Sequence, residues 1–242
     1  MINMQRLADE RLVPLQNGDE MSETQLLGWV LETVRSALSH DVRSPLRAVN
    51  GYSRMLASEH GEVLGASGCT CLDRTIAATG RMDGMIDGLI GLLRTAQLPM
   101  HCELLPLSKM AAELAADNGY EDTLKVEPGL QAWGDRTMIR QALAALLGNG
   151  AARARESDDP HLLLRRYRHG PNAFAVEDNG SRIDAVTAES CFRPFTPGDP
   201  DPSRGMYLAT VRLIANRHGG RSWIEDGTDQ RTLFCCYLPR SV

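Results

Sequence analysis

Residues 39–50 read SHDVRSPLRAVN, a stretch in which a histidine, two arginines and a proline interrupt an otherwise apolar, helix-forming run. Around this stretch apolar residues recur at three- and four-residue steps, which predicts one apolar stripe along a helix that begins near Glu23. The stripe consists of Leu27, Leu31, Val34, Leu38, Val42 and Val49. On the same helical wheel His40 falls on the opposite side. The polar residues that share its side are Arg43, Ser44 and Arg47. The pattern therefore predicts a histidine that faces solvent or another molecule.

Pro45 stands inside this predicted helix, shortly after His40. Proline has no backbone N–H and its ring clashes with the preceding turn, so a proline within a helix typically bends the axis. The sequence therefore predicts a kink just after His40. A kink beside an exposed imidazole indicates a functional site, which would explain why the apolar run is interrupted here.

A second helix is predicted over residues 66–97, with an apolar stripe of its own. That stripe consists of Leu72, Met82, Met85, Ile86, Leu89, Ile90 and Leu93. The two helices predict an antiparallel hairpin that turns near residues 59–65. One hairpin cannot bury its apolar seam alone, and pairing two copies into a four-helix bundle solves this problem. We therefore expect a homodimer.

Four glycines lie on the face opposite the second stripe, namely Gly80, Gly84, Gly88 and Gly91. Each glycine in a helix interior costs about 0.5–1 kcal/mol relative to alanine. Two interpretations stay open. The face is either a tolerant surface or a bare strip that admits a closely docked partner.

The composition limits the class of protein. The chain has 242 residues, of which 43% are hydrophobic and 24% charged, and its net charge is −5. Lys and Arg are scattered, which argues against a nucleic-acid partner. The six cysteines lack CxxC spacing, and neither a signal peptide nor an apolar run of membrane-spanning length is evident. We expect a reduced, cytoplasmic protein with no membrane or nucleic-acid partner.

The pattern changes after the second helix, in a segment that holds Pro99 and Pro106. Beyond it helix-like and strand-like segments alternate. The apolar strand-like segments are residues 162–167, 173–176, 222–224 and 233–238. We expect four regions along the chain: an N-terminal tail over 1–22, a helical hairpin over 23–98, a linker over 99–106 and a second domain over 107–242.

The segment SHDVRSPL at residues 39–46 resembles the phosphoacceptor box of sensor histidine kinases. The match continues through RAVNGYS at residues 47–53, as in the phytochrome-like branch of that family. The resemblance extends over nearly the whole chain. It implies an α+β fold, in which an antiparallel helical hairpin forms a dimeric four-helix bundle and is followed by an α/β sandwich related to the ATP-binding domain of gyrase-type ATPases.

The resemblance also implies roles for the residues around the histidine. His40 would be the phosphoryl nucleophile, carried as phosphohistidine, and Asp41 its base. Arg43 and Arg47 are either electrostatic helpers of the incoming phosphate or solvated helix charges, and both interpretations stay open. Ser44 stands where many relatives carry Thr or Asn, a position that the resemblance links to dephosphorylation of the partner.

The second half resembles the nucleotide boxes of the same family, with several substitutions. Asp135 is predicted to N-cap a helix that carries Asn149, and the resemblance implies that Asn149 holds Mg²⁺ beside ATP. The usual upstream Asn is Ala145, and the usual phosphate-reaching Lys is Ala152. The candidates to replace that Lys are Arg153 and Arg155.

Asp178, Asn179 and Gly180 resemble the first glycine box of the family. The resemblance implies that Asp178 accepts a hydrogen bond from the amino group of adenine. The second glycine of this box is Arg182 in the present chain. An acidic residue followed by Asn-Gly is also common turn chemistry, so the weight of this box comes from its order among the others.

The remaining boxes are shortened or substituted. Residues 192–195 resemble the phenylalanine box, and residues 196–202 form a short, proline-rich nucleotide lid. Only Gly205 remains of the closing glycine box, and Tyr207 adds bulk where glycine lets a backbone approach phosphates. Two arginines of these boxes, Arg182 and Arg204, offer another way to hold phosphates. Because several boxes differ together, we expect binding of ATP and Mg²⁺ to be weakened or lost.

Three functions are compatible with these patterns. The one we favour is a two-component signalling protein whose His40 exchanges a phosphoryl group with response-regulator aspartates and makes little or no use of ATP, because this needs only the intact half of the chain. The alternatives are an ATP-dependent sensor histidine kinase core and a non-catalytic dimeric regulator that binds a receiver domain.

Overall fold

The computed structural model describes residues 23–168, 172–194, 202–227 and 231–240. Its first part is helical. Helix α1 spans Glu23–Ala37, a π-helical turn spans Leu38–Val42, and helix α2 spans Arg43–Gln97. The backbone of α2 leaves the helical conformation at Gly65, which divides the helix into two arms.

The two arms of α2 fold back on each other about Gly65. Its φ of 65° and ψ of 179° lie in a region that is essentially restricted to glycine. Across the arms, Asn50 Nδ2 donates to Thr79 Oγ1 at 2.8 Å, and Cys69 Sγ lies 3.4 Å from the carbonyl oxygen of Gly61. Each pair is nearly symmetric about residue 65 in sequence. The predicted antiparallel hairpin is therefore confirmed.

The backbone around His40 forms the π-helical turn Leu38–Val42. Pro45 has no N–H to donate to the carbonyl of Asp41, four residues earlier, so a regular α-helical hydrogen bond is missing next to this turn. π-helical turns occur mostly as single insertions within α-helices, frequently at functional sites. The disturbance predicted just after His40 thus takes the form of a wider turn that includes His40 itself.

The second part of the chain alternates helices and strands. The helices are α3 (Leu107–Asn118), α4 (Arg136–Ala154), α5 (Ala185–Ser190) and α6 (Pro202–Arg217). The strands are β1 (Cys102–Leu105), β2 (Leu124–Val126), β3 (Ala132–Asp135), β4 (Leu162–Arg166), β5 (Ala173–Asp178), β6 (Arg221–Asp226) and β7 (Thr232–Tyr237). The four strand-like segments predicted from the sequence correspond to β4, β5, β6 and β7, which confirms them.

These strands form two sheets. The five-stranded sheet has the order β2-β4-β5-β7-β6, in which β2 pairs with β4 in parallel and the other neighbours are antiparallel. Strands β1 and β3 form a separate antiparallel pair. Strand β1 lies within the segment 99–106 that is expected to be a linker, so part of that segment packs with the sandwich.

The main hydrophobic core lies between one face of the five-stranded sheet and helices α3, α4 and α6. Leu143 and Leu147 of α4 are fully buried there against Leu162, Val176 and Phe234 of the sheet. A smaller apolar cluster lies on the opposite face of the sheet. The α+β fold predicted from the sequence, a helical hairpin followed by an α/β sandwich, is therefore confirmed.

Two further expectations concern the ends of elements and the membrane. Asp135 caps α4, because its side chain accepts a hydrogen bond from the Met138 N–H at 3.0 Å, as predicted. Within the described ranges, no helix has an apolar stretch long enough to cross a lipid bilayer. The predicted tail, residues 1–22, lies outside the described residues.

Candidate functional site

His40 is exposed on the π-helical turn, on the side that the helical pattern predicts. Its side chain makes no hydrogen bond or ion pair with any other residue in the described part of the chain. Asp41, Ser44 and Arg47 are exposed as well. The imidazole is therefore open to an incoming molecule, with a carboxylate, a hydroxyl and a guanidinium on neighbouring positions.

Arg43 ties the two arms of the hairpin together next to His40. Its Nε lies 3.4 Å from Asp83 Oδ1, and its terminal nitrogen contacts the carboxylate of Asp87. Only 19% of the Arg43 side chain is exposed. The guanidinium is thus engaged in the fold rather than freely solvated, and its participation in phosphate binding stays a prediction.

Helix α6 docks against the glycine-bearing face of α2. A Cβ at Gly88 would lie 2.7 Å from Met206 Cβ and 2.9 Å from Met206 Cγ, although carbon atoms pack at about 3.5–4.0 Å. By contrast, a Cβ at Gly80 or Gly91 would meet no atom within 4 Å. Of the two interpretations of this face, Gly88 thus fits the closely docked partner, and Gly80 and Gly91 fit the tolerant surface.

The end of α2 is fastened to the sandwich by polar contacts. Arg217 of α6 donates from its terminal nitrogens to the carbonyl oxygens of Thr95 and Leu98, the latter at 2.6 Å. Thr95 Oγ1 in turn lies 3.1 Å from Gln141 Oε1 of α4. These contacts seat the sandwich on the second arm of the hairpin, so that α6 runs alongside it.

One turn of α2 connects the two halves of the candidate site. Asp87 contacts Arg43 on the arm that carries His40, and the next residue, Gly88, contacts Met206 near the start of α6. The start of α6 is where the sequence places the closing glycine box. The docked sandwich therefore presents this end of its nucleotide boxes towards the region of the phosphoacceptor box.

Asp178, at the end of β5, is completely enclosed, with an exposure of 0%. Arg153 Nε donates to both of its carboxylate oxygens, at 3.1 and 3.3 Å, and the Gly180 N–H donates to Oδ1 at 3.0 Å. Burial raises the pKa of Asp178, and the charge of Arg153 opposes this rise without cancelling it. The carboxylate predicted to receive the amino group of adenine thus receives an arginine of the same chain.

Arg153 is itself held at several points. Its terminal nitrogen donates to the Ser181 carbonyl at 2.5 Å and to Thr232 Oγ1 at 3.2 Å, and the guanidinium lies 5.6 Å from the centre of the Phe234 ring. A Cβ at Gly180 would lie 2.7 Å from the carbonyl oxygen of Arg153. The arginine proposed from the sequence as a substitute for the phosphate-reaching Lys is therefore directed at the base end of the site instead. The other candidate, Arg155, is exposed.

Asn179 fastens the loop that leads into β4. Its Nδ2 donates to the carbonyl of Asp159 at 2.7 Å, and its Oδ1 accepts from the His161 N–H at 2.9 Å. Both ends of the amide are therefore used within the fold. A direct part in nucleotide binding stays a prediction for Asn179.

Asn149 lies on α4, one turn before Arg153. Its Nδ2 is buried and, within the described residues, has no hydrogen-bond partner. A carboxamide oxygen is a ligand that suits Mg²⁺, so Asn149 is compatible with the predicted metal contact. No group of three or more His, Cys, Asp or Glu side chains in the described part of the chain is arranged to hold a metal ion.

The Asp178 carboxylate is not accessible to a ligand atom in this structure. A base must touch the Asp178 carboxylate to be recognised by it, and a carboxylate with no exposed surface offers no place for a ligand atom. Both of its oxygens already accept from Arg153 Nε. At the phosphate end Asn149 is half-buried and Tyr207 exposed, and among the described residues neither side chain pairs with a charged group.

The other substituted boxes face outward. Arg182 donates to Asp226 Oδ2 at 2.7 Å, and both side chains are mostly exposed. Tyr207 is exposed on α6, and Gly205 lies within the first turns of the same helix. The predicted lid, residues 196–202, falls outside the described residues except for Pro202, which begins α6.

Sequence reasoning missed two contacts that shape the site. Arg153 precedes Asp178 by 25 positions, and Gly88 precedes Met206 by more than a hundred, so no local spacing marks either pair. A signal for the first pair is the position of Arg153 one turn after Asn149, on a helix that the order of the boxes places beside β5. For the contact of Gly88 with Met206, the signal in the sequence is the helix face that carries four glycines.

Comparisons with known proteins agree with this architecture. Residues 134–242 match the family model described as histidine kinase-, DNA gyrase B-, and HSP90-like ATPase. The chain is similar to cyanobacterial phytochrome B of Nostoc sp., with 26% identity over 247 residues that cover 92% of this chain and 32% of that protein. It is also similar to the sensory histidine kinase/phosphatase NtrB of Azospirillum brasilense, with 29% identity over 223 residues that cover 84% of this chain and 54% of that protein.

A solved structure shares the fold over most of the chain. ShkA, crystallised at full length in complex with AMPPNP, superposes with a TM-score of 0.53 at 21% identity, covering 85% of this chain and 45% of that one. The present chain spans about a third of the length of the Nostoc relative and about half of that of the Azospirillum relative.

Proposed function

We propose that the chain works as a two-component histidine kinase core, a helical phosphoacceptor region followed by a histidine kinase-type ATPase domain, and that its His40 exchanges a phosphoryl group with aspartates of response regulators. The observation that carries the proposal is the placement of His40, exposed on a π-helical turn and without a partner among the described residues. The proposal includes weak or absent use of ATP, which the enclosure of Asp178 by Arg153 supports.

In the proposed reaction the unprotonated ring nitrogen of His40 attacks the phosphorus of an aspartyl phosphate on the regulator. The N–P bond forms while the P–O bond to the aspartate breaks, and the aspartate leaves as a carboxylate. The proton on the other ring nitrogen passes to Asp41 or to solvent, which leaves a phosphohistidine whose ring is uncharged and whose phosphoryl group keeps its negative charge. The reverse reaction delivers the phosphoryl group to a second receiver. Ser44, exposed one turn beyond His40, has a hydroxyl that can contact the same incoming group.

The proposal includes a homodimer formed through the hairpin. Large apolar side chains remain exposed along it in the single chain, and their positions match what a second copy would cover. They include Leu27, Val34, Val49, Tyr52, Met55, Val63 and Met82. Val63, beside the turn at Gly65, is 88% exposed. Of the two apolar stripes that the sequence predicts, Ile86 is buried within one chain, whereas Leu27, Val34, Val42, Val49 and Met82 stay largely exposed. The exposed part supports pairing of two copies.

An ATP-dependent autokinase is the second candidate, and one observation favours it. The Asn149 Nδ2 is buried without a partner in the described residues, and an unsatisfied buried amide is costly unless a ligand or water completes it. A phosphate oxygen of a bound nucleotide would accept a hydrogen bond from this amide nitrogen. In this candidate the phosphoryl group on His40 originates from ATP rather than from a receiver.

The two candidates are separated by the donor that labels the protein. Wild type, His40→Ala and His60→Ala are incubated with labelled ATP and Mg²⁺, and separately with a phosphorylated receiver domain. His60 is an exposed histidine on the same arm and serves as the matched control. We expect label from the receiver only, retained by His60→Ala and lost by His40→Ala. Label from ATP favours the autokinase, and no label from either donor contradicts both candidates.

A further inference from the structure

Arg153 bonds to both oxygens of the Asp178 carboxylate, the atoms that the amino group of adenine would have to contact. We propose that Arg153 closes the base end of the nucleotide site from within the chain, so that a purine base reaches Asp178 only when Arg153 is displaced. This inference rests on the assignment of Asp178 as the base-reading carboxylate in the proposed function. It adds a specific residue and a specific mechanism to the weak use of ATP.

The contacts of Arg153 show that it is fixed rather than loosely packed. The guanidinium bonds to a carboxylate, a backbone carbonyl and a hydroxyl from two segments of the chain, residues 178–181 and strand β7: Asp178, Ser181 and Thr232. It also lies over the Phe234 ring. Only 12% of its side chain is exposed. A side chain held by several convergent contacts keeps one position, so Arg153 stays bonded to the Asp178 carboxylate.

The competition between arginine and a base is unequal. The amino group of adenine is a neutral donor, whereas Arg153 offers charged donors to a carboxylate that is enclosed by protein. Both donors would form charge-assisted hydrogen bonds to the carboxylate, but only the guanidinium adds the attraction of a full positive charge. Displacing Arg153 would also break a buried ion pair, which is strongly unfavourable. The carboxylate therefore keeps the arginine and excludes the base.

The position of Arg153 limits its effect to one end of a nucleotide. Its side chain points to the end of β5, and its neighbour on α4, Asn149, remains available at the phosphate end. The affinity of a ligand that has phosphates but no base should therefore not depend on Arg153. Inorganic tripolyphosphate is such a ligand, and comparing it with ATP separates closure of the base end from a general loss of the site.

The test measures binding of ATP and of tripolyphosphate, each with Mg²⁺, to the full chain by titration calorimetry. The variant is Arg153→Ala, and the matched control is Arg140→Ala, which removes an arginine of the same helix from an exposed ion pair with Asp117. We expect Arg153→Ala to bind ATP more tightly than wild type by a factor on the order of 10–100, because the base no longer competes with a buried ion pair. Tripolyphosphate binding and the control should not change.

Three results would overturn the inference. They are ATP binding to Arg153→Ala that is no tighter than to wild type, an equal gain for tripolyphosphate, and an equal gain in Arg140→Ala. Because removal of Arg153 leaves Asp178 unpaired, a second measurement uses the wild-type protein and follows the NMR signals of the Arg153 Nε–H and of the Gly180 amide, which bonds to the same carboxylate. We expect both signals to keep their positions when ATP is added, or to shift together; a shift of the Gly180 amide with an unchanged Arg153 signal refutes closure, because the base would then reach Asp178 beside Arg153.

The inference and the proposed function fail separately. Transfer from a phosphorylated receiver to His40 does not involve Arg153, so Arg153→Ala should accept label from the receiver as wild type does. Loss of receiver transfer in all variants would refute the proposed function and leave the binding result standing. Normal receiver transfer with unchanged ATP binding in Arg153→Ala would refute only the inference.

Discussion

Replacement of Gly88 by alanine is expected to loosen the docking of α6 on α2. The new Cβ would approach Met206 Cβ to 2.7 Å and Cγ to 2.9 Å, and Met206 is buried, with 1% of its surface exposed. Because Met206 Cβ is fixed by the backbone, relief of an overlap of about 1 Å requires the two helices to separate, which typically costs about 1–3 kcal/mol. Alanine also stabilises a helix interior by about 0.5–1 kcal/mol relative to glycine, so the two effects oppose each other.

Gly91→Ala isolates the steric effect. It lies on the same arm, and its Cβ would meet no atom within 4 Å, so only the helix-forming gain applies. The two variants should therefore differ in stability by about 1–3 kcal/mol, with Gly91→Ala above wild type and Gly88→Ala below it or close to it. In melting temperature, each 1 kcal/mol corresponds to roughly 2–4 °C for a chain of this size.

The assay combines thermal unfolding with amide hydrogen exchange of α6. Gly88→Ala should increase exchange in residues 206–217, whereas Gly91→Ala should leave it at the wild-type level. If both alanines stabilise the protein equally and neither changes exchange in α6, then the helix is not seated on Gly88 and the described contact between the hairpin and the sandwich is refuted.

Three other substitutions test the fold around the site. Gly65→Ala should lower the free energy of unfolding by about 1–3 kcal/mol through backbone strain alone, since its Cβ would meet no atom within 4 Å; wild-type stability in urea would contradict the turn. Burial favours a higher pKa for Glu177, but hydrogen bonds from Arg231 and Arg165 outweigh burial and hold the pKa below its usual value. The ionised Glu177 therefore stabilises the fold above the pKa of the unfolded state, and this contribution is lost as the pH falls through the pKa of the folded state. The stability difference between wild type and Glu177→Gln should therefore shrink on acidification, and a constant difference would argue against the network. Asp135→Ala removes the acceptor of two backbone N–H groups and should cost about 1–3 kcal/mol in urea unfolding, unlike a surface carboxylate.

The sequence predicts the parts of this protein that depend on local periodicity. The hairpin follows from apolar steps along two helices, and the cap at Asp135 follows from its place before an amphipathic run. The strands β4 to β7 follow from short apolar segments bounded by turns. His40 is placed outward for the same reason, since a helical wheel fixes the direction of a side chain once the apolar face is known.

Contacts between distant segments could not be predicted in this way. Arg153 and Asp178 pair because α4 packs beside β5, and the sequence around either residue does not indicate which residue it pairs with. The engagement of Arg43 with Asp83 and Asp87 likewise depends on how the two arms are aligned. Pro45 lacks an N–H, so the sequence predicts that the helix is disturbed near His40. It does not predict that the disturbance takes the form of a π-helical turn, which also depends on how the hairpin packs.

The central claim, that His40 carries the phosphoryl group, is tested most directly by mass spectrometry of the peptide that contains it. The protein is incubated with a phosphorylated receiver domain and digested without exposure to acid, because phosphoramidates hydrolyse under acidic conditions. We predict one added phosphoryl group on the peptide with His40, localised to the imidazole by fragmentation and absent from His40→Ala. An unmodified His40 after full dephosphorylation of the receiver, or a phosphoryl group located on another residue, would contradict the account.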